Sequence, residues 1–286
     1  MNIYLRASVF TVLTAALLPA DVTYTQTTKF EGGALIDMMQ KMASMPMMGR
    51  MMSGSRQAFE DQTYDVYIKG NKMARWGKVT STIYDLDAGS ITTINHTKKT
   101  YATTTFEEMQ QKMEQAQQRM KQQQGPALDF DVKVNATGQT KTIDGVQAKE
   151  VVMTMTAKQA SAQGQMVVTT HSWLIPYSGG SQEAVDFYRK LGQKYAYALS
   201  GPGMAGAGQG MSAAINEAYK QEGGYPAEME MVITGVTAPM GPMGGGGDPG
   251  APLLKELIQT ENFAKGSVDD SKFMVPAGFK QDSKGR

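Results

Sequence analysis

The 286 residues carry 28 Lys and Arg against 27 Asp and Glu, a formal net charge of +1 that falls to zero (27 against 27) without the first twenty residues, which hold Arg6 and no acidic group. That neutrality excludes the basic balance from which nucleic-acid binding draws its phosphate attraction, so no nucleic-acid partner is expected. With no cysteine at all, disulfides, thiolate metal sites, thiol nucleophiles and a cysteine-borne lipid anchor are excluded, and stability must come from an apolar core.

Met1 to Arg6 form a short basic stretch, residues 7–18 are apolar, and Pro19-Ala20 follow. This pattern predicts a cleaved export signal over 1–20, with Leu18 standing where a second small residue is usual. The run is shorter than the roughly 20 apolar residues of a spanning helix, and no later segment is apolar enough to cross a membrane. An exported protein of the periplasm or cell envelope is therefore expected.

A first strand is predicted over 22–30. Eight of the 23 methionines then crowd into 38–52, inside an insertion drawn at 34–54, read as a helix followed by an irregular excursion. Tyr64, Val66 and Ile68 alternate with polar neighbours, the period of a half-buried strand, and Gly70-Asn71 supplies a hairpin turn. Further strands over 73–78, 80–86, 91–95 and 100–103 make an antiparallel meander. Phe106, Met109, Met113, Ala116 and Met120 then share one face of a helix that stops at Gly125-Pro126.

A second β block opens with Phe130, Val132 and Val134. Asp144-Gly145 joins strands over 140–143 and 146–156, with Val151, Met153 and Met155 on one face, and another strand spans 166–174. A helix is predicted from Ser181 as N-cap, presenting Val185, Tyr188, Leu191, Tyr195 and Leu199 on one face until Gly201. A glycine-rich loop over 201–210, a shorter helix around Ile215 and Tyr219, and a strand with Met229, Met231 and Ile233 follow. A second glycine-rich loop covers 241–250, and a final β region over 253–263 closes with 273–279. The expected fold is mainly β with inserted helices (α+β): one domain over 21–281, a curved antiparallel half-open barrel, and a disordered tail over 282–286. No repeat of 20–50 residues recurs, which excludes a solenoid or propeller.

Tyr67-Ile68-Lys69-Gly70-Asn71-Lys72-Met73-Ala74-Arg75, Ile83-Tyr84-Asp85-Leu86-Asp87, Ile94-Asn95-His96-Thr97-Lys98-Lys99-Thr100-Tyr101, Lys141-Thr142-Ile143-Asp144-Gly145 and the closing 273–279 segment resemble an uncharacterised family of exported bacterial proteins, known only as a domain of unknown function. In layout that family is similar to LolA-type periplasmic lipoprotein carriers, which hold an acyl chain inside a half-open β-barrel lidded by helices. The carriers commonly have Arg-Pro before the second strand, where this chain has Lys69-Gly70. The methionine-dense insertion is not a carrier feature either. The resemblance implies the fold and an apolar ligand held between sheet and lid.

The inventory for catalysis is short. His96 and His171 are the only histidines, and neither has metal-ligand or nucleophile-activating spacing. No GxSxG elbow is present, and Gly244 to Gly247 lack the Lys of a phosphate loop. A binding protein without enzymatic activity or cofactor is expected. The ligand-facing residues read from alternation are Tyr64, Val66, Ile68, Phe130, Val132, Val134, Met153 and Met155, with Phe106, Met109 and Met113 as the lid. Burial of hydrocarbon at about 0.8 kcal/mol per methylene would drive binding. Two alternatives stand beside it. Thioethers are soft Cu(I) ligands, so Met38, Met42, Met45, Met48 and Met52 could form a metal site, although methionine serves as an apolar filler throughout the chain. A structural or assembly role would use the surface alone.

Overall fold

Alternating apolar and polar residues build twelve strands into a single sheet in a computed structural model of the chain. The structure describes residues 21–43, 60–122, 130–158, 160, 164–199, 224–236 and 250–282, without the side chains of 39, 43, 113, 116, 117, 119–122 and 193–199. The predicted export signal, the two glycine-rich loops (Gly250 apart), the helix around Ile215 and Tyr219, and residues 283–286 lie outside the described residues, as do 44–54 of the methionine-rich insertion. The strands are β1 (Asp21–Gly32), β2 (Gln62–Lys69), β3 (Lys72–Gly77), β4 (Thr80–Asp85), β5 (Ser90–Asn95), β6 (Thr100–Thr105), β7 (Phe130–Ile143), β8 (Val146–Ala157), β9 (Gly164–Ile175), β10 (Tyr225–Val236), β11 (Leu254–Gly266) and β12 (Lys280–Gln281). Among the described residues the helices α1 (Ala34–Ala43), α2 (Phe106–Gln122) and α3 (Ser181–Leu199) interrupt them.

The sheet runs β12-β6-β5-β4-β3-β2-β1-β11-β10-β9-β8-β7. Every pairing is antiparallel except the short β12–β6 contact. The sheet is curved and not closed into a barrel. Strands β2 to β6 form the meander in the predicted order. Asp144 and Gly145 both take positive φ, 50° and 77°, so the turn between β7 and β8 has the form that matches the right-handed twist of a hairpin. The two strands expected over 130–134 and 140–143 are one bent strand. Its register shifts between Ala136 and Thr140, where a bulge takes up the extra residues.

The two β blocks are joined by β1, which pairs Val22 with Ile68 of β2 on one side and Asp21 with Gly266 of β11 on the other. One face of the meander carries the helices. Val22, Tyr24, Val66, Ile68, Met73 and Leu86 pack there against Phe106 of α2, Ala184, Phe187 and Leu191 of α3, and Tyr225 of β10. Thr105 and Glu108 start α2 as a reciprocal capping box: each side chain accepts from the other's backbone amide at 3.1 Å. Ser181 is the first residue of α3 rather than its cap, and its hydroxyl accepts from the Ser178 amide at 2.9 Å.

Ala74, Ile83 and Ile94 point to the opposite face and pack with Tyr67, Trp76, Phe273, Val275 and Phe279. The closing segment was expected to finish the last β region. Instead it follows a 3-10 turn (Asp270–Phe273) and straps across this face through Phe273, Val275 and Phe279. Trp76 Nε1 donates to the Lys272 carbonyl at 2.8 Å, and the Asp282 amide donates to the Tyr101 carbonyl at 2.7 Å beyond β12. Among the described residues no helix is long and apolar enough to cross a membrane.

Candidate functional site

Strand register decides which side chains share a face. Val66 opposes Tyr24, and Tyr64 opposes Gln26, in the β1–β2 pair. From β1 the same face continues through Gln26–Thr260, Thr28–Ile258 and Phe30–Glu256 into β11. It passes through Ile258–Met229 and Glu256–Met231 into β10, then through Met231–Thr170 and Ile233–Val168 into β9. It ends through Thr170–Met153 and Val168–Met155 in β8, and Met153–Val134 and Met155–Val132 in β7. All eight strand residues picked out by alternation therefore lie on the helix-bearing face.

They do not form one cluster. Tyr64, Val66 and Ile68 belong to the core under α2 and α3, together with Phe106. Phe130, Val132, Val134, Met153 and Met155 form a second cluster with Val168, Met166, Met231 and Ile233. Strands β1, β11, β10 and β9 separate β2 from β8, a lateral path of roughly 24 Å at about 4.8 Å per strand. Met109 is half-buried on α2, and the side chain of Met113 lies outside the described residues. Met38 and Met42 are half-buried one turn apart on α1, whose Ile36 is buried; Met45, Met48 and Met52 lie outside the described residues.

Arg75 is the most unusual group on this face. On β3 it shares parity with Met73, so the register that buries Met73 also turns Arg75 inward. Its guanidinium carbon lies 4.4 Å from the centroid of the Tyr64 ring. That ring rests against Gly77, where an added Cβ would come within 2.8 Å of it; the glycine leaves the space for the stack. Tyr24 and Tyr188 share a hydrogen bond at 3.0 Å, bringing a hydroxyl from α3 onto the same patch. Burial disfavours the Arg75 charge, but the phenols of Tyr188, Tyr84, Tyr64 and Tyr24 outweigh it and raise the guanidinium pKa. Burial and the neighbouring Tyr188 and Tyr225 push the Tyr24 phenol well above its ordinary range. Arg75 Nε is buried without a hydrogen-bond partner, and among the described residues no carboxylate pairs with the group. The alternation on β3 carried this signal, an arginine where an apolar residue belongs.

A second ionisable side chain on this face, Glu256, is half-buried beside Met231 and Phe30, and burial raises its carboxyl pKa.

The opposite face holds the polar groups that the sequence did not single out. Glu150, 6% exposed, accepts from Thr137 Oγ1 at 2.7 Å and lies 2.8 Å from His171 Nδ1. Burial alone would raise its pKa; the hydrogen bonds of His171 and Thr137 and the charges of His171 and Lys141 lower it instead. Lys141 pairs with Glu228 and lies over the Trp173 ring at 4.3 Å. His96 is held by Ser81 Oγ at 2.7 Å, with Trp76 and Phe279 beside it. Both histidines thus have hydrogen-bond partners within the sheet. Among the described residues no group of three or more His, Asp or Glu side chains is arranged to hold a metal ion.

Chemically, the helix-bearing face offers two apolar clusters, a half-buried cation in a tyrosine setting and a half-buried acid. Comparison of the sequence with protein-family models and with curated proteins finds no match.

Proposed function

We propose that this chain is a non-enzymatic binding protein of the cell envelope that holds an apolar, acyl-chain ligand on the helix-bearing face of its sheet, in the manner of LolA-type carriers. The observation that carries the proposal is the register. Apolar positions of β2, β7 and β8, far apart in sequence, fall on one face of one sheet that does not close on itself. An open sheet with helices over one half leaves a lid-and-platform arrangement in which hydrocarbon replaces water at about 25 cal/mol per Å² buried. The layout of meander, helix, second β block and helix resembles that of the carriers, which supports the reading.

Native mass spectrometry of gently purified protein and titration with the apolar dye N-phenyl-1-naphthylamine test the reading. Co-purified lipid or one saturable dye site is expected, with Val134→Lys weakening dye binding several-fold. Lys133→Ala, on the other face of the same strand, leaves it unchanged. Absence of both lipid and a saturable site, or equal effects of the two substitutions, rejects it.

A further inference from the structure

We propose that Arg75 anchors the anionic head group, a carboxylate or a phosphate, of an acyl-chain amphiphile whose hydrocarbon lies along the helix-bearing face. The inference rests on the apolar-ligand reading and supplies the ligand's polar end.

A charge turned toward a protein interior is ordinarily met by an opposite charge. Arg75 meets tyrosines. The Tyr64 ring takes one flat side of the guanidinium, and Tyr84, Tyr188 and Tyr24 stand around it. A cation–π stack of this kind stabilises the charge without neutralising it. One guanidinium N–H bonds the Tyr84 hydroxyl, and the N–H groups left over match the spacing of two oxygens on a carboxylate or phosphate. Nε is buried and unpartnered, a donor that the protein itself leaves unsatisfied. Arg75, Tyr64, Tyr84 and Tyr188 are half-buried rather than sealed, so a head group can reach them, and the Tyr84 hydroxyl, which accepts from Arg75, keeps its own proton to donate to the same anion. The acid on this face does not serve as the missing partner: Glu256 sits on β11, three strands from β3, beside Met231 and Phe30. From Arg75 the face runs on through the apolar positions of β2 and β1 toward the second cluster, so a head group at one end and hydrocarbon along the rest fit a single ligand.

The test compares palmitate, hexadecyl phosphate and hexadecanol, which share one chain and differ in head group, by displacement of the dye. The expected result is that at least one anion binds about tenfold or more tightly than the alcohol. Preference for palmitate alone identifies a carboxylate ligand, and preference for hexadecyl phosphate alone identifies a phosphate. Arg75→Met, checked for folding by circular dichroism, should bring the anion down to the affinity of hexadecanol while leaving hexadecanol unchanged; Arg75→Lys should keep part of the preference. Equal binding of all three to the wild-type protein overturns the proposal without relying on any variant to fold. If none of the three binds saturably, the apolar-ligand reading itself fails, and the anchor with it.

Discussion

Glu150 and Arg75 are ionisable groups drawn into the sheet, and their surroundings assign them different work. Glu150 is satisfied on both oxygens, by His171 and by Thr137, which is how a structural carboxylate is held. Its lowered pKa means that the ionised form stabilises the fold at pH values above the unfolded carboxylate pKa of about 4.3. That contribution is lost as pH falls through the lower folded value. Glu150→Gln should therefore cost about 1–2 kcal/mol at pH 7 and make the acid limb of the stability profile shallower. Urea melts between pH 3 and pH 7 check this, and an unchanged acid limb contradicts it. Arg75 interrupts an alternation that can be read along β3, whereas Glu150 does not announce its role in a linear reading. His171 sits among alternating residues like any strand position, and only the β8–β9 register, which sets Val152 opposite His171 and Glu150 opposite Trp173, brings imidazole and carboxylate together.

At the scale of elements, the meander was legible because short strands with period-two alternation are joined by turns in which glycines take positive φ, Gly70 and Gly89 among them. The Thr105-x-x-Glu108 capping box was equally legible in principle, since its spacing is a local signal. Thr105→Ala should destabilise the protein by about 1 kcal/mol through the start of α2, read as a lowered midpoint in chemical denaturation with an unchanged slope. The closing strap was harder to read. Phe273, Val275 and Phe279 look like strand residues, but their apolar side chains are committed to Tyr67 and Trp76 on a face they reach only through tertiary packing. Removing residues 269–282 should lower the melting temperature and expose Trp76, seen as a red shift of its emission. A chain that melts as the full-length one does would show the strap to be ornamental.

For the whole molecule, strand order is what alternation could not supply, because β1 pairs with β11 across more than two hundred residues. The two tryptophans report on the two halves, Trp76 from β3 and Trp173 from β9. If the sheet is one cooperative unit, each single-tryptophan variant (Trp76→Phe and Trp173→Phe) should give the same urea midpoint by tryptophan emission as by far-UV circular dichroism. Midpoints that differ between the two probes within one variant would show that the two halves unfold separately. Met155, 2% exposed in the second cluster, gives the matching perturbation: Met155→Ala should cost about 2–5 kcal/mol and shift both reporters together.

The position of β1 has a further consequence for when the fold can exist. The first described strand is also the middle one, and its partner on one side is not available until residue 266 has been made. Vectorial synthesis therefore leaves the seam vacant for most of the chain's emergence, while the meander beside it can form early from local contacts. High contact order at a single closing step makes completion slow and places the commitment to the native state late. A nascent or truncated chain that stops before Leu254 should accordingly remain protease-sensitive in its second half. A chain that reaches Gly266 should become resistant across both halves in the same kinetic phase.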